Sequence, residues 1–302
     1  MAETRRGFIL GAAAYAMWGM FPLYWTLLEP AGAVEILAHR VFWSLAVMAA
    51  LVVVLRRRRQ FRAILADPRT RNILTLAAVV IAINWGGYIW GVNNGHVVET
   101  SLGYFINPLV TVLMGVFIIG ERLRTMQWVA MAIASLAVLG LTLELGRPPW
   151  VALVLAFSFG TYGLAKKKAN AGAVESLALE TLIIAPIALA YIVFLSSRGE
   201  STFGTEGSGH ALLLVSTGII TAIPLICFGA AATRVTMTTL GMLQYLAPTL
   251  QFALGVSIFD EPMPRTRLLG YVLVWVALAI FTFESVKHRR RQLRLTAEAS
   301  AL

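Results

Sequence analysis

Three ionisable side chains lie inside long apolar stretches of this sequence, where a charge is costly. His39 and Arg40 stand within AVEILAHRVFWSLAV, and Glu180 stands within SLALETLIIAP. A charged side chain at the centre of a membrane helix costs at least about 2.5 to 3.5 kcal/mol, so it needs a partner or a function. Arg40 could hold an anionic group of a solute, while His39 or Glu180 could exchange a proton. We therefore predict charge or proton coupling at these three positions.

A structural role for the same residues stays open. Arg40 could reach the headgroups at the outer surface, or pair with Glu35 five residues earlier, and Glu180 could serve packing against a neighbouring backbone. When the second half of the chain is laid on the first, Glu180 falls on His39. The two halves therefore place an ionisable group at corresponding positions.

A polar stripe and a proline share one apolar stretch, TSLGYFINPLVTVL. Thr100, Tyr104, Asn107 and Thr111 follow one another at steps of four, three and four, which is one face of a helix. Pro108 would release the carbonyl of Tyr104 from its helical hydrogen bond. A freed carbonyl at membrane depth is tolerated only where protein or cavity water satisfies it. We predict a gating kink at Pro108, with Tyr104 and Asn107 contacting substrate.

The same pattern returns in the second half of the chain. The alignment of the halves places Gln244 on Tyr104 and Pro248 on Pro108, and Gln251 completes a second polar stripe. We predict a second gating kink at Pro248. A static kink that only improves packing is the alternative for both prolines.

Aromatic and amide side chains in other apolar stretches could line a solute path. Asn84 and Tyr88 are four residues apart and share a helix face, and Trp85 lies deeper than an interfacial aromatic belt would. Aromatic walls suit flat or apolar organic solutes, whereas an interhelical hydrogen bond from Asn84 is the alternative. The predicted substrate-binding residues are Trp18, Tyr24, Asn84, Trp85, Tyr88, Tyr104, Asn107, Tyr162, Gln244 and Tyr245.

Residues that could hold a metal or perform hydrolysis lack the required spacing. The four histidines share no metal-ligand spacing, and the single cysteine, Cys227, permits neither an internal disulfide nor a cysteine metal site. No Walker, GxSxG or HExxH sequence is present. We therefore predict no enzyme activity, no metal and no cofactor.

The elements that position these residues follow from composition. The chain has 302 residues, of which 58% are hydrophobic and only 13% charged, as expected of a membrane protein. Crossing a bilayer takes about 20 apolar residues as a helix, and the stretches show no strand-like alternation. We predict an all-α integral membrane protein with ten transmembrane helices, near 7–28, 34–55, 73–92, 98–119, 126–143, 150–165, 174–195, 210–231, 236–259 and 266–285.

The distribution of basic residues predicts the topology. Twenty of the 25 Lys and Arg fall on one side of the predicted spans and four on the other, with Arg40 inside the membrane. This positive-inside pattern predicts a multi-pass protein of the inner (cytoplasmic) membrane with both termini in the cytoplasm. The basic residues are interpreted as topology signals and contacts to anionic membrane lipids, and not as a nucleic-acid site.

A cleaved signal peptide is the alternative for the first stretch, because Arg5 and Arg6 precede it. The stretch continues apolar and aromatic through Trp18 and Trp25, and nine further spans follow. We therefore favour a retained helix.

Repeated spacings divide the chain into two similar parts. Pro108 is followed thirteen residues later by Glu121, and Pro248 is followed thirteen residues later by Glu261. Each part contains five predicted spans, so the second must enter the membrane upside down. Inverted repeats are typical of carriers whose substrate site lies near the midplane between the repeats. The predicted repeats are 1–145 and 146–302, the second with a basic cytoplasmic tail.

Longer motifs carry a resemblance to a known family. They include WGMFPLYW, EILAHRVFWS, INWGGYIWGVNNGHVVETSLGYFINPLV, GERLRTMQW, AFSFGTYGLAKKK, ETLIIAP and AATRVTMTTLGMLQYLAPTLQF. In these motifs the chain resembles the RarD branch of the drug/metabolite transporter superfamily. The resemblance implies a ten-helix inner-membrane carrier made of two inverted EamA-type repeats, with a central cavity surrounded by helices 1, 3, 4, 6, 8 and 9.

Two functions are compatible with the sequence. The first is a secondary transporter of a small organic metabolite or drug-like solute, working by alternating access at a midplane cavity. The second is a non-transporting membrane protein that affects drug sensitivity indirectly. The inverted repeat favours the transporter, because an enzyme or an assembly subunit has no need of two inverted copies. The identity of the solute, the direction of transport, the coupling ion and the oligomeric state do not follow from the sequence.

Overall fold

The computed structural model describes residues 2–258 and 265–300, and in those ranges all regular structure is helical. The helices are α1 (Ala2–Trp25), α2 (Ala33–Val54), α3 (Arg58–Ala66), α4 (Pro68–Asn93), α5 (Val97–Met114), α6 (Thr125–Leu145), α7 (Trp150–Ala169), α8 (Ala173–Ser197), α9 (Gly207–Ala232), α10 (Met237–Gln244), α11 (Leu246–Ser257) and α12 (Arg265–Ser300). A short 3₁₀ turn, Thr26–Leu28, follows α1, and a π-helical turn, Gly115–Ile119, follows α5.

Seven of these helices are long and apolar enough to cross a membrane, namely α1, α2, α4, α5, α6, α8 and α9. Helix α12 contains a shorter apolar part, Leu268–Glu284. Helix α7 carries three lysines in its last turn, and α10 and α11 are separate short helices that meet at Tyr245. The chain is therefore a multi-pass membrane protein.

The start of α4 shows how local sequence fixes a helix end. Asp67 precedes Pro68, a residue that suits the first helical position because it needs no amide donor there. The Asp67 carboxylate accepts hydrogen bonds from the backbone amides of Arg69 (3.2 Å) and Thr70 (3.1 Å). Hydrogen bonds from Thr70 lower the pKa of this carboxyl, because they stabilise its charged form.

The bundle has two distinct ends, which we call the basic face and the far face. The basic face carries the start of α1 and the connections 55–57, 120–124, 170–172 and 233–236. An ion pair of 2.7 Å between Glu3 and Arg234 joins two of its segments. The far face carries the connections 26–32, 94–96, 146–149 and 198–206. There the Glu35 carboxylate accepts a hydrogen bond of 2.7 Å from the backbone amide of Thr202.

The helices pack in a limited set of pairs. Helix α1 contacts α9 and α11, α2 contacts α8 and α9, and α4 contacts α7 and α8. Helix α5 contacts α7 and α10, and α6 contacts α12. Glycines allow several of these approaches, since a Cβ on Gly218 would lie 2.5 Å from the backbone of Trp43. Gly241 likewise lies against the Pro108 carbonyl.

A layer of buried side chains lies toward the basic face. Tyr162 and Phe228 stack with their ring centroids 5.4 Å apart, and Met237 and Leu240 from α10 are fully buried beside them. Tyr15 of α1 completes this layer. These side chains close the bundle at the basic face.

Candidate functional site

A cavity of about 960 Å³ lies in the half of the bundle nearer the far face. Its lining extends to Trp25 at the end of α1, Val98 at the start of α5 and Leu145 at the end of α6, all near the far face. Tyr15 and Gln244 lie at its deep end, next to the closed layer. A volume of this size can hold a drug-sized organic molecule.

The structure brings many of the predicted residues together around this cavity. Those that line it are Trp18, Arg40, Asn84, Trp85, Tyr88, Tyr104, Asn107 and Gln244. Those outside its lining are Tyr24, His39, Pro108, Tyr162, Glu180, Tyr245 and Pro248. The eight that line it come from α1, α2, α4, α5 and the end of α10, and α6, α7, α9, α11 and α12 contribute further lining residues, so no single helix builds the site.

Arg40 reaches the cavity through a frame of aromatic rings. Its guanidinium carbon lies 4.7 Å from the ring centroid of Trp25 and 5.3 Å from that of Trp85. Its Nε atom donates a hydrogen bond of 3.0 Å to Thr221 Oγ1. The guanidinium forms no ion pair with any carboxylate of the described residues. Arg40 is therefore a cation held by rings and a hydroxyl, and not by an opposite charge.

The pairing of Arg40 with Glu35, considered above, does not occur in the structure. Both carboxylate oxygens of Glu35 face the 198–206 connection, where they accept hydrogen bonds from Ser201 and Thr202. Arg40 and Glu35 are five residues apart, and residues three or four apart are the helical neighbours. The Glu35 carboxylate therefore anchors a loop on the far face.

His39 points toward the same loop and away from the cavity. Its ring stacks on Phe203 at 5.0 Å, and its Nδ1 accepts a hydrogen bond of 3.2 Å from the Trp43 indole. Its Nε2 is buried with no hydrogen-bond partner in the described residues. The side chains of His39 and Arg40 therefore lie on different sides of α2.

Polar atoms gather at the floor of the cavity. Gln244 Nε2 donates a hydrogen bond of 2.8 Å to Thr111 Oγ1, and the Gln244 side chain also lies next to the Tyr15 hydroxyl. Asn107 Oδ1 and the Tyr15 hydroxyl are buried there as well, without a partner of good hydrogen-bond geometry within the described parts of the chain. A buried polar atom without a partner is costly, so Asn107 Oδ1, next to the contact between Tyr15 and Gln244, indicates a position for water or ligand.

Asn84 combines the two roles considered for it. Its Nδ2 donates to the Leu155 carbonyl (2.9 Å) and to Ser158 Oγ (3.0 Å), both on α7. The same residue lines the cavity next to Trp85 and Tyr88. The interhelical bond therefore fixes α4 against α7 while the residue stays at the cavity wall.

Three of the predicted substrate-binding tyrosines lie between helices and do not line the cavity. The Tyr24 hydroxyl donates a 2.7 Å hydrogen bond to the Leu213 carbonyl, which joins α1 to α9. The fully buried Tyr245 donates to the Phe105 carbonyl at 3.3 Å. Tyr162 donates to Glu180 Oε2 at 3.0 Å. Each of the three hydroxyls forms a hydrogen bond between two helices, and none of the three side chains lines the cavity.

Glu180 lies in a sealed ion pair near the basic face. Its Oε1 lies 2.5 Å from Lys166 Nζ, and both side chains are almost fully buried. Lys166 also donates a hydrogen bond of 2.8 Å to Ser176 Oγ. Together with the Tyr162 hydroxyl, these contacts satisfy the carboxylate on the α7–α8 interface.

The two prolines have different local structures. Helix α5 continues through Pro108 to Met114, whereas the corresponding segment divides into α10 and α11 at Tyr245, three residues before Pro248. Both prolines are buried. Gln251, beyond the division, lines the cavity and donates a 3.3 Å hydrogen bond to the Trp18 carbonyl.

Several residues at the site do not stand out in the sequence. The sequence pattern groups Lys166 with the surface lysines and gives no role to Thr221 or Tyr15. The spacing of Tyr162 and Lys166, four residues apart on α7, is the sequence signal that could have paired them with Glu180. Glu121 is a further case, because its carboxylate accepts hydrogen bonds from the backbone amides of Met237 (2.6 Å) and Thr238 (2.9 Å).

The fold and the cavity together define a helical multi-pass membrane protein with room for an organic solute. A crystal structure of another protein, 21% identical in sequence, has the same fold, with a TM-score of 0.70 over 92% of this chain and 97% of that one. The sequence model of the EamA-like transporter family matches residues 5–143.

Sequence relatives make the assignment specific. Protein RarD of Streptomyces exfoliatus is 56% identical over 99% of this chain and 95% of its own length. An uncharacterized transporter of Pseudomonas aeruginosa is 42% identical over 96% of this chain and 97% of its own length. The chain belongs to the RarD branch of the drug/metabolite transporter superfamily, and is a membrane transporter of that type.

Proposed function

We propose that the chain is a secondary transporter that moves a small organic solute by alternating access. The observation that carries the proposal is a cavity of about 960 Å³ that reaches the far face and ends at a closed layer toward the basic face. One open and one closed end is the arrangement expected of one state of an alternating-access carrier. The solute contacts are Trp18, Asn84, Trp85, Tyr88, Tyr104, Asn107 and Gln244.

The proposed architecture has ten membrane spans in two inverted repeats, 1–145 and 146–302. The spans are α1, α2, α4, α5 and α6, followed by α7, α8, α9, the pair α10–α11, and α12. In this scheme each span of the first repeat corresponds to the span five places later in the second. When corresponding spans are exchanged, the α1–α9 contact becomes the α7–α4 contact, which is also present. In the same way, the α2–α9 contact becomes the α8–α4 contact. The α2–α8 and α6–α12 contacts map onto themselves. A two-fold relation between the halves accounts for this pattern.

Individual glycine contacts support the same relation. Gly19 packs on Leu250, and Gly160 packs on Val110. Laying the second repeat on the first places Gly160 on Gly19 and Leu250 on Val110. A contact between the halves is thus repeated with the partners exchanged. The spacing of Pro248 from Glu261 cannot add to this, because Glu261 lies outside the described residues.

The Glu121 carboxylate is proposed as a latch at the closed end. It accepts two backbone amide hydrogen bonds and one of 2.6 Å from the Thr238 hydroxyl, all at the start of α10. A carboxylate at a helix N-terminus is favoured by the unpaired amides and by the helix dipole. Opening the basic face requires the end of α5 and the start of α10 to separate, and this breaks the latch.

Pro108 and Pro248 are proposed as the flex points of that movement. Both lie beside the cavity floor, and the division of the second segment at Tyr245 is a local break in the helix. Replacing each proline with alanine restores a backbone donor and should slow transport without closing the cavity. Full activity of both Pro108→Ala and Pro248→Ala would leave the prolines a packing role only.

The basic face is proposed to lie in the cytoplasm, in a bacterial inner membrane. Arg56 to Arg59 and Lys166 to Lys168 are on this face, in agreement with the positive-inside rule. The far face, with its open cavity, then faces outward.

The Glu180 carboxylate is proposed as the coupling group, with Lys166 as its resting partner. If a proton moves with the solute, protonation of Glu180 has to weaken the pair with Lys166. Glu180→Gln should then abolish uptake driven by a pH gradient, while solute binding persists. Unchanged uptake would remove Glu180 from coupling.

Sealed vesicles containing the purified protein test the transport proposal. A mixture of metabolites is added outside, and the vesicle contents are measured by mass spectrometry under pH and electrical gradients. We expect accumulation of a restricted set of solutes, and its loss in Asn107→Leu, which removes a polar group from the cavity floor. Empty vesicles and Glu200→Gln, an exposed substitution on the far face, serve as controls. If no solute moves under any gradient, the transporter proposal fails.

A further inference from the structure

We propose that the cavity selects solutes that carry an anionic group next to a flat ring, and that Arg40 holds the anion. This inference rests on the proposed function in that the cavity is taken as the solute site. It adds the charge class of the solute, which neither the family nor the relatives supply.

The residues that line the cavity have a net positive formal charge. Of the described residues that line the cavity, Arg40 is the one with a formal charge, and the rest are aromatic, aliphatic or neutral polar. No carboxylate of the described residues lies on the cavity wall. A cation without a counter-ion in a surrounding of low dielectric attracts an anion and repels a second cation.

The Arg40 guanidinium has N–H groups that no described residue binds. Nε is used by Thr221 at 3.0 Å, and no hydrogen bond to another described residue occupies the two terminal amino groups. The two amino groups keep some accessible surface, and Arg40 lines the cavity, so these donors are available to a solute there. A guanidinium with free N–H groups binds a carboxylate or phosphate through two parallel hydrogen bonds.

The rings around Arg40 fix the direction of the guanidinium. Trp25 and Trp85 lie at 4.7 and 5.3 Å from its carbon atom, and the Phe21 ring lies at 6.0 Å. These contacts hold the cation without neutralising it. The Tyr88 and Tyr104 rings, 6.2 Å apart, continue the aromatic wall of the cavity. A flat ring attached to the anion can therefore stack where the anion reaches Arg40.

The cavity floor supplies a second point of recognition. Arg40 is roughly 10 Å from the start of α2, and Asn107 is roughly 15 Å from the start of α5, at 1.5 Å per residue. Both helices begin at the far face, so the floor lies deeper than the cation by on the order of 5 Å. Asn107 Oδ1, which has no partner in the described residues, suits an uncharged polar group there, and the Tyr15 hydroxyl and the Gln244 side chain line the same floor. The solute class is thus an amphipathic organic anion with a neutral polar end.

Three compounds with one ring system and different charges test the inference. Indole-3-acetate is an anion at neutral pH, indole-3-acetamide is neutral, and tryptamine is a cation. Binding of each to the purified protein in detergent is measured by calorimetry at neutral pH. We expect the acetate to bind about 10-fold or more tightly than the acetamide, because a charge-assisted hydrogen-bond pair is lost with the amide. Tryptamine should bind weakest.

Variants separate the cavity cation from the general charge of the protein. Arg40→Gln should bring the acetate and the acetamide to equal affinity, and Arg40→Lys should retain part of the preference. Arg198→Gln is the matched control, because it removes an exposed far-face arginine that pairs with Glu200. It should leave the preference unchanged.

The outcomes distinguish this inference from the transport proposal. Equal binding of acetate and acetamide, absence of binding by all three, or a preference that survives in Arg40→Gln would overturn the anion site while vesicle transport still stands. Arg40-dependent binding of the acetate without movement of any solute into vesicles would keep the anion site and remove the transport proposal.

Discussion

Arg40 and Lys166 are two cations inside the same bundle with opposite surroundings. Lys166 lies 2.5 Å from Glu180 in a sealed interface between α7 and α8, and Ser176 accepts a further hydrogen bond from it. Arg40 lies at the wall of a large cavity, framed by Trp25 and Trp85, with no carboxylate of the described residues beside it. The first cation is satisfied by the protein, and the second still has free donors.

The difference shows how to separate a structural charge from a binding charge in a membrane protein. A buried ion pair is neutral as a unit. Removing one partner leaves the other charge buried without compensation, which is strongly destabilising. A cation that faces cavity space through aromatic rings costs less to keep charged, because water or solute can reach it. The same contrast separates the two halves of the bundle, because the closed layer lies toward the basic face and the cavity lies toward the far face.

The largest expected effect is on the Lys166 side of the comparison. Lys166→Ala leaves the buried Glu180 carboxylate without its cation, although the Tyr162 hydroxyl still donates to it, and should destabilise the protein by about 3 to 5 kcal/mol. Denaturant unfolding in detergent, followed by tryptophan fluorescence, measures the change. The double variant Lys166→Met with Glu180→Leu is the control, since it removes both charges and should unfold near wild type. A single variant as stable as wild type would contradict the presence of a buried ion pair that contributes to stability.

A middle-sized effect is expected where α1 and α5 contact α11 and α7, between the two proposed repeats. A Cβ on Gly19 would lie 2.7 Å from the Leu250 Cβ, so Gly19→Ala should cost about 1 to 3 kcal/mol. The same change at Gly160 meets the flexible side chain of Met114 and the Val110 methyl at 3.1 Å, so it should cost less. Gly86→Ala has nothing within 4 Å and serves as control, because alanine there should stabilise the helix.

Thermal unfolding of the three glycine variants in one detergent gives the order. If Gly86→Ala is the most destabilising, the close contact between α1 and α11 does not hold the halves together as described.

The smallest effect on stability is expected at Arg40. Arg40→Gln removes a hydrogen bond to Thr221 and ring contacts, but it leaves no carboxylate unpaired among the described residues. The free energy of unfolding should therefore fall by no more than about 1 kcal/mol. The same denaturant series used for Lys166→Ala measures it. A loss as large as that of Lys166→Ala would show that Arg40 supports the fold, and the contrast between the two cations would disappear.

Part of the site follows from sequence because helical spacing alone orients side chains. Of the predicted polar stripe, Thr100, Tyr104 and Asn107 line the cavity. Thr111 is fully buried and accepts a hydrogen bond from Gln244. Asn84, Trp85 and Tyr88 follow from the same reasoning on α4. In both stretches the local pattern was sufficient, because an otherwise apolar helix gives polar residues one favourable direction.

The rest depends on contacts between distant segments. The pair of Lys166 and Glu180 joins two helices, and the sequence places that lysine in a run that also serves the basic face. The neighbours His39 and Arg40 point in different directions, since adjacent residues on a helix are about 100° apart. Tyr162 and Tyr245 resemble cavity aromatics in sequence, but their hydroxyls are used by Glu180 and by the Phe105 carbonyl. Only the packed structure distinguishes the two cases.

Thiol accessibility at the two ends of the bundle tests alternating access most directly. Cys227 is replaced with alanine, and one cysteine is then introduced at Ser101, which lines the cavity, or at Leu240, which is buried in the closed layer. A membrane-impermeant maleimide is applied to oriented sealed vesicles from one side at a time. Each cysteine is measured with Glu121 intact and in Glu121→Ala, and Glu3→Ala, which removes an exposed ion pair on the same face, is the control.

Loss of the latch should favour the state that is open at the basic face. We predict that Glu121→Ala raises labelling of Leu240→Cys from the basic side and lowers labelling of Ser101→Cys from the far side, while Glu3→Ala changes neither. Labelling that rises at both positions together, or that changes at neither, would contradict alternating access.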